Sequence, residues 1–341
     1  NNIFGVTRKN LESYFESIGE KKFKATQVFE WLYIHKIWDI TKFSNIKKEI
    51  QEKLMNDFNT DFIKIEIVEE GPLVKKFLFR LLDGEKIEAV LMEHDYGKSI
   101  CVSSQIGCNM GCAFCESGRL KKVRNLTSDE MLLQVLKVEE DIKDRISHVV
   151  IMGIGEPFDN YDNVMDFINI INDAYALAIG IRHITVSTSG IVPKIKEFAK
   201  EGLGVNLAIS LHAPNNEIRN KIMKINKAYD INELIESVKE YLKLTNRRVT
   251  FEYIMLKDIN DTDECAKELA NLLKGINCYV NIIPYNETNN IGFKRSLSSQ
   301  ITRFCGILKE NNINVTIRRE FGSKVSAACG QLRSKIEEEN K

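Results

Sequence analysis

Proline is scarce, with five in 341 residues, so no part of the chain reads as a proline-rich linker. An excess of charge is also missing: 48 Lys and Arg balance 48 Asp and Glu. No global positive field advertises a polyanion partner, and any surface for nucleic acid must be local. No apolar run approaches the length that spans a bilayer, and the opening NNIFGVTRKNLESYF lacks the basic-then-apolar layout of a signal peptide. A cytoplasmic protein without a membrane partner is the expectation. The 43% hydrophobic and 28% charged fractions are those of an ordered globular chain, long enough for one large core plus a small appended domain.

Cysteine is what the chain has in quantity. Of eight, four fall within residues 101–115. In a reducing compartment that crowding argues against a disulfide framework and toward metal, redox or nucleophilic roles. Cys265, Cys278 and Cys305 lie in apolar-periodic stretches and read as small core hydrophobes. Cys329, alone in AACGQL, reads from its surroundings as one more buried thiol.

The pattern along the chain divides it into four parts. Residues 1–60 carry apolar positions at helical spacing (Leu11, Tyr14, Phe15, Ile18; then Val28, Phe29, Trp31, Leu32) and predict a small helical domain. Residues 61–98 turn to alternation, with Asp83-Gly84 between two strand-like runs, a β-hairpin extension. Across 99–320 six apolar runs alternate with helical patterns of ten to fifteen residues, which predicts βαβ units. The fold class expected is α/β, a partial (βα)6 barrel, its parallel sheet buried on both faces. Thr127 and Glu130 predict a capping box on the first barrel helix. Residues 321–341 form a C-terminal segment with a charged tail.

In barrels of this kind reactive groups stand at the carboxyl ends of the strands. Cys108, Cys112 and Cys115, spaced C-x3-C-x2-C, follow the first barrel strand. Three thiolates on one loop reach three corners of a [4Fe–4S] cluster and leave the fourth iron open for a substrate's amino and carboxylate groups. The competing reading is structural zinc, with Cys101 as fourth ligand, in a protein that only binds RNA. Gly153-Ile154-Gly155 is a poor dinucleotide fingerprint, because Pro157 and Phe158 stand where the third glycine belongs. A turn holding Gly155 instead offers backbone groups and the Glu156 carboxylate to a ligand's ammonium. Ser187, then Ser210, Leu211 and His212, then Asn286 end successive strands on the same rim.

The cysteine spacing, its place after the first strand and the aromatic Phe114 resemble the radical S-adenosylmethionine enzymes. More narrowly, CVSSQIGCNMGCAFC, MGIGEPFDNYDNV, HITVSTSGIVP, NLAISLHAPNNEIRNKIMKIN, NRRVTFEYIML, NIIPYN and AACGQLR occur in this order. Together they resemble the RNA adenine-methylating branch, the RlmN/Cfr family, from about residue 10 to residue 333.

The resemblance implies a [4Fe–4S] cluster on Cys108, Cys112 and Cys115, and reductive cleavage of S-adenosyl-L-methionine to a 5′-deoxyadenosyl radical. It implies that Cys329 is first methylated, carries the resulting methylene radical to adenine, and is freed from the adduct by Cys101. Glu88, thirteen residues before that resolving cysteine, would be the base that takes the ring proton. It also implies 23S rRNA and a tRNA anticodon-loop adenine as substrates, an electron donor such as flavodoxin or ferredoxin, and a monomer. RlmN-type enzymes methylate carbon 2 and Cfr carbon 8; GEKKFKATQVFEWLYIHKIWDITKFSNI and VTIRREFGS are more similar to the former. Departures from the family pattern are Lys324 and Ser326, where acids are usual, Glu116 beside Cys115, and Ile154 for Met. Lys121, Lys122, Arg124, Arg247, Arg248, Arg318 and Arg319 are the candidate local contacts to RNA phosphates, with the target base flipped from its stack.

Overall fold

The computed structural model describes residues 1–119, 121–287 and 291–318. Twelve strands occur among them: β1 Lys64–Gly71, β2 Val74–Arg80, β3 Lys86–His94, β4 Gly97–Val102, β5 Gln105–Ile106, β6 Arg124–Asn125, β7 His148–Ile151, β8 Ile184–Thr188, β9 Asn206–Ser210, β10 Val249–Met255, β11 Cys278–Pro284 and β12 Asn314–Ile317. Ten of them make one sheet in the order β1-β2-β3-β4-β7-β8-β9-β10-β11-β12.

Within this sheet every pairing from β4 to β12 is parallel. Helices Ser128–Ile142, Tyr161–Asn172, Val192–Lys200, Ile231–Thr245, Asp263–Leu272 and Ser298–Glu310 lie between these strands in sequence. The six expected strands are all present, and β12 adds a seventh. Its sequence NVTI is short and mostly exposed, so it carries no apolar run to announce it. Thr127 and Glu130 form the expected capping box.

The predicted hairpin is also present, turning at Gly84 with φ +88° between β2 and β3. It is not a separate extension: β1 pairs with β2, and β3 pairs antiparallel with β4, so the three strands continue the barrel sheet.

The two faces of that sheet differ. Ile100, Val102, Val149, Ile151, Val186, Ile209, Phe251, Tyr253, Val280 and Ile282 join the main core. Their neighbours in sequence, which alternate to the opposite face, include Cys101, Thr185, Ser187, Ser210, Glu252 and Asn281. The outer face is apolar and helix-covered, whereas the inner face mixes buried polar side chains with a small apolar cluster around Cys101. In several of the apolar runs polar residues fall on this inner parity, as Thr185 and Ser187 do in β8 and Thr250 and Glu252 in β10.

Helices Arg8–Ser17, Phe23–Phe29 and Lys48–Asp57 form the N-terminal unit, which buries Leu11, Phe15, Val28, Phe29 and Leu32 in the same core as the barrel. Polar ties fix it there: Arg8 Nε donates to Asp173 Oδ2 at 2.8 Å, and Ser128 Oγ donates to the Gly5 carbonyl at 2.8 Å.

Candidate active site

Beyond β4 and the short β5, the chain enters the loop bearing Cys108, Cys112 and Cys115, all free thiols and partly exposed. The loop folds back on itself. Cys115 N donates to Cys112 O at 3.2 Å and Gly118 N to Cys115 O at 3.0 Å. A Cβ on Gly118 would lie 2.9 Å from Cys112 O, so only glycine permits this approach. Ala113 N donates to Ile222 O at 2.9 Å, and Cys112 and Phe114 pack on Ala213, Ile222, Met223, Leu256 and Tyr285.

Among the described residues no three His, Cys, Asp or Glu side chains converge on a place for a single metal ion. Three thiols spaced along one turn match the three protein-held corners of a [4Fe–4S] cluster, whereas structural zinc needs a fourth ligand. Burial pushes the Cys108 thiol up to about 12 and raises Cys112 as well, so loading a cluster must displace their protons.

The rim residues expected from the sequence come together at the carboxyl ends of β7, β8, β9 and β11. After β7, Gly153 N donates to Val102 O at 3.0 Å, and a Cβ there would sit 2.6 Å from that oxygen. Gly155 has φ +112° and faces Gln105. Glu156 is buried, and both its carboxylate oxygens accept backbone amides: Oε1 from Phe158 at 3.1 Å and Oε2 from Ser189 at 2.7 Å. Burial raises its proton affinity against those bonds. The carboxylate therefore braces the β7 and β8 loops to one another. Ser187 pairs with Ala208 and is buried; Ser210 pairs with Glu252; Asn286 follows β11, half-buried.

His212 has φ +58° and is 5% exposed. Its Nδ1 accepts from Ile254 N at 3.0 Å, and its ring meets Phe114 edge-on, centroids 4.9 Å apart. Burial, aided by the Arg219 charge, pushes its pKa down to about 3. The imidazole is neutral, accepting at Nδ1 and carrying its proton on Nε2.

Arg219 escaped the sequence reading, because one arginine in a short amphipathic helix reads as a surface residue. It is 0% exposed. Its guanidinium donates to Ser189 O at 2.7 Å, Ser210 O at 3.2 Å, Leu211 O at 3.2 Å and Asn226 Oδ1 at 3.0 Å. One cation thus ties the loops after β8 and β9 to the segment behind the cysteine loop. Burial lowers its pKa to about 10, leaving it charged at neutral pH.

Cys101 and Glu88 stand on neighbouring strands. Cys101 pairs with Val90, two residues from Glu88, so the two side chains share the inner face. Glu88 is 3% exposed and faces Lys76. Cys329, Lys324 and Ser326 lie outside the described residues, as does Arg319.

Several candidate phosphate contacts are otherwise engaged. Arg124 pairs with Asp83 and Glu130, and Lys122 with Asp159. Arg247 and Arg248 precede β10 and so stand at the amino end of the barrel, away from the rim; Arg248 covers the Tyr279 ring at 3.8 Å. These contacts give the four side chains a structural task within the chain. Arg318 instead reaches Met152 Sδ at 4.0 Å, on the inner face.

Residues 102–273 match the Radical SAM superfamily, and residues 1–59 match the ribosomal RNA large subunit methyltransferase N-terminal domain. A protein of Enterococcus faecalis named Probable dual-specificity RNA methyltransferase RlmN is 52% identical over 342 residues, covering 98% of this chain and 96% of that protein. One of the same name from Spiroplasma citri is 50% identical, covering 98% of each. The crystal structure of a radical SAM methyltransferase from Sphaerobacter thermophilus superimposes with a TM-score of 0.90 at 38% identity, over 97% of this chain and 98% of that one. Superfamily membership implies a [4Fe–4S] cluster and S-adenosyl-L-methionine. No helix among the described residues is long and apolar enough to cross a membrane.

Proposed function

The chain belongs to the RlmN family of radical SAM methyltransferases, and on that premise we propose that it methylates carbon 2 of an adenine in 23S rRNA and of an adenine in a tRNA anticodon loop. Identity of 50% or more to proteins named RlmN, over nearly the whole chain, supports carbon 2 over carbon 8. The observation that carries the chemistry is the shared inner face of Glu88 and Cys101 on β3 and β4, one strand end away from the three-cysteine loop.

When bound, the cluster and S-adenosyl-L-methionine supply one-electron chemistry, fed by a donor such as flavodoxin or ferredoxin, that ordinary acid–base groups cannot. Cys108, Cys112 and Cys115 would hold the cluster. Gly155, Glu156, Ser187, Ser210, Leu211, His212 and Asn286 would shape the pocket for S-adenosyl-L-methionine, with Arg219 and Glu156 fixing the loops. An adenine carbon carries no acidic proton and is no nucleophile toward a methyl donor, which is why a carrier thiol is needed. Cys329 takes that role, and Glu88 removes the ring proton from the RNA–protein adduct. The Cys101 thiolate then attacks the Cys329 sulfur, forming a disulfide as the carbon–sulfur bond breaks, and the electron pair left on carbon takes up a proton to complete the methyl group. Nucleoside mass spectrometry of rRNA and tRNA from cells with and without the gene tests the assignment: 2-methyladenosine in both RNAs should vanish with the gene.

A further inference from the structure

Lys76 Nζ lies 3.0 Å from Glu88 Oε2, with the two side chains 1% and 3% exposed. Lys76 on β2 pairs with Val90 on β3, and Val90 with Cys101 on β4. Alternation along each strand then puts Lys76, Glu88, Val90 and Cys101 on one face. The opposite face of these strands sends Phe77, Phe79, Ile87, Ala89, Leu91 and Ile100 into the main core. Around Cys101 the inner face is apolar, lined by Val74, Met92, Val90 and Met152.

Stability does not explain the pair. Stripping water from an ammonium and a carboxylate costs several kcal/mol for each, and apolar residues in place of a buried pair are often as stable or more so. Chemistry does explain it. Burial by itself favours the protonated form of a carboxyl group, which is no base, whereas an ammonium at hydrogen-bond distance favours the carboxylate and holds one oxygen in place.

We propose that Lys76 is a positioning residue for ring-proton removal, holding Glu88 ionised and oriented beside Cys101. The inference rests on the reading of Glu88 as the base. In that step the proton on carbon 2 of the RNA–protein adduct passes to the Glu88 carboxylate, the C–H electron pair restores the aromatic ring, the unpaired electron left by radical addition passes to a one-electron acceptor, and Lys76 takes no part in the transfer. Among the described residues, the titratable groups that share this face include Glu69 on β1, the cross-strand partner of Lys76, Lys86 and His94 on β3, Cys101 on β4, His148 on β7 and, on β10, Glu252, which Arg318 faces.

The test compares Lys76→Met, Lys76→Arg and Glu88→Gln holoproteins given a reductant, a 23S rRNA fragment and S-adenosyl-L-methionine under anaerobic conditions. Glu88→Gln should accumulate covalently RNA-linked protein on a denaturing gel. Lys76→Met should accumulate the same species and release methylated RNA at least about ten-fold more slowly, with KM for RNA unchanged and Lys76→Arg restoring most of the rate. Isotope-edited infrared spectra of the RNA-free protein should show the Glu88 carboxylate band replaced by a carboxylic acid band in Lys76→Met and retained in Lys76→Arg. If Lys76→Met does not fold, Lys76→Gln, which drops the charge and keeps a hydrogen bond, is read the same way. Wild-type release, or a retained carboxylate band, in the charge-removed variant overturns the role of Lys76. Normal turnover by Glu88→Gln overturns the reading of Glu88 instead.

Discussion

Glu88 and Cys101 project from adjacent antiparallel strands onto one inner face, because Cys101 is the cross-strand partner of Val90, two residues along from Glu88. A base and a thiol held in this way can act in succession on one adduct without either strand moving. Replacing Cys101 with Ala should leave RNA attached to the protein, seen as a slower band on a denaturing gel. A normal yield of methylated RNA with no attached species would count against the resolving role.

Arg219 satisfies acceptors on three segments at once, a task that the point charge of lysine does not reproduce. Arg219→Met should lower the unfolding free energy by on the order of 3 kcal/mol, with Arg219→Lys recovering only part. Urea unfolding curves measure this, and a loss below about 1 kcal/mol would show that the rim loops hold themselves in place.

His212 titrates near 6.5 when unfolded and at about 3 when folded. Between those values the unfolded chain binds a proton that the folded chain refuses, so stability is full above about pH 6.5 and falls as pH drops toward 3. The His212→Asn variant keeps an acceptor for Ile254 N and tolerates the positive φ. Its denaturation midpoint should fall less steeply than the wild type's through that window, and parallel curves would contradict the buried, neutral imidazole.

Gly155 combines φ +112° with a Cβ position 2.6 Å from Gln105 Cβ. Gly155→Ala is expected to cost about 1–3 kcal/mol and to pull Glu156 N away from Gln105 Oε1, which it now meets at 2.9 Å. A lowered thermal midpoint checks this; an unchanged one would mean that the turn relaxes freely.

The six barrel strands and their helices were legible because each apolar run has a length and spacing only a βα unit uses. The cysteine loop was legible because its spacing is itself chemistry. What could not be read depends on partners distant in sequence. Lys76 and Glu88 become a pair only through strand register, and Arg219 looks solvated until the β8 and β9 loops fold over it. The ion pairs of Arg124 with Asp83 and Glu130 likewise join residues that the sequence does not connect. The short, exposed β12 lacks any pattern apart from the edge it joins.

The most direct test of the central claim is to reconstitute the protein anaerobically with iron and sulfide, supply a reductant, S-adenosyl-L-methionine and a 23S rRNA fragment, and digest the RNA for mass spectrometry. The account predicts 2-methyladenosine from the wild type and none from Cys329→Ala. Formation of 8-methyladenosine, or undiminished methylation by Cys329→Ala, would contradict it.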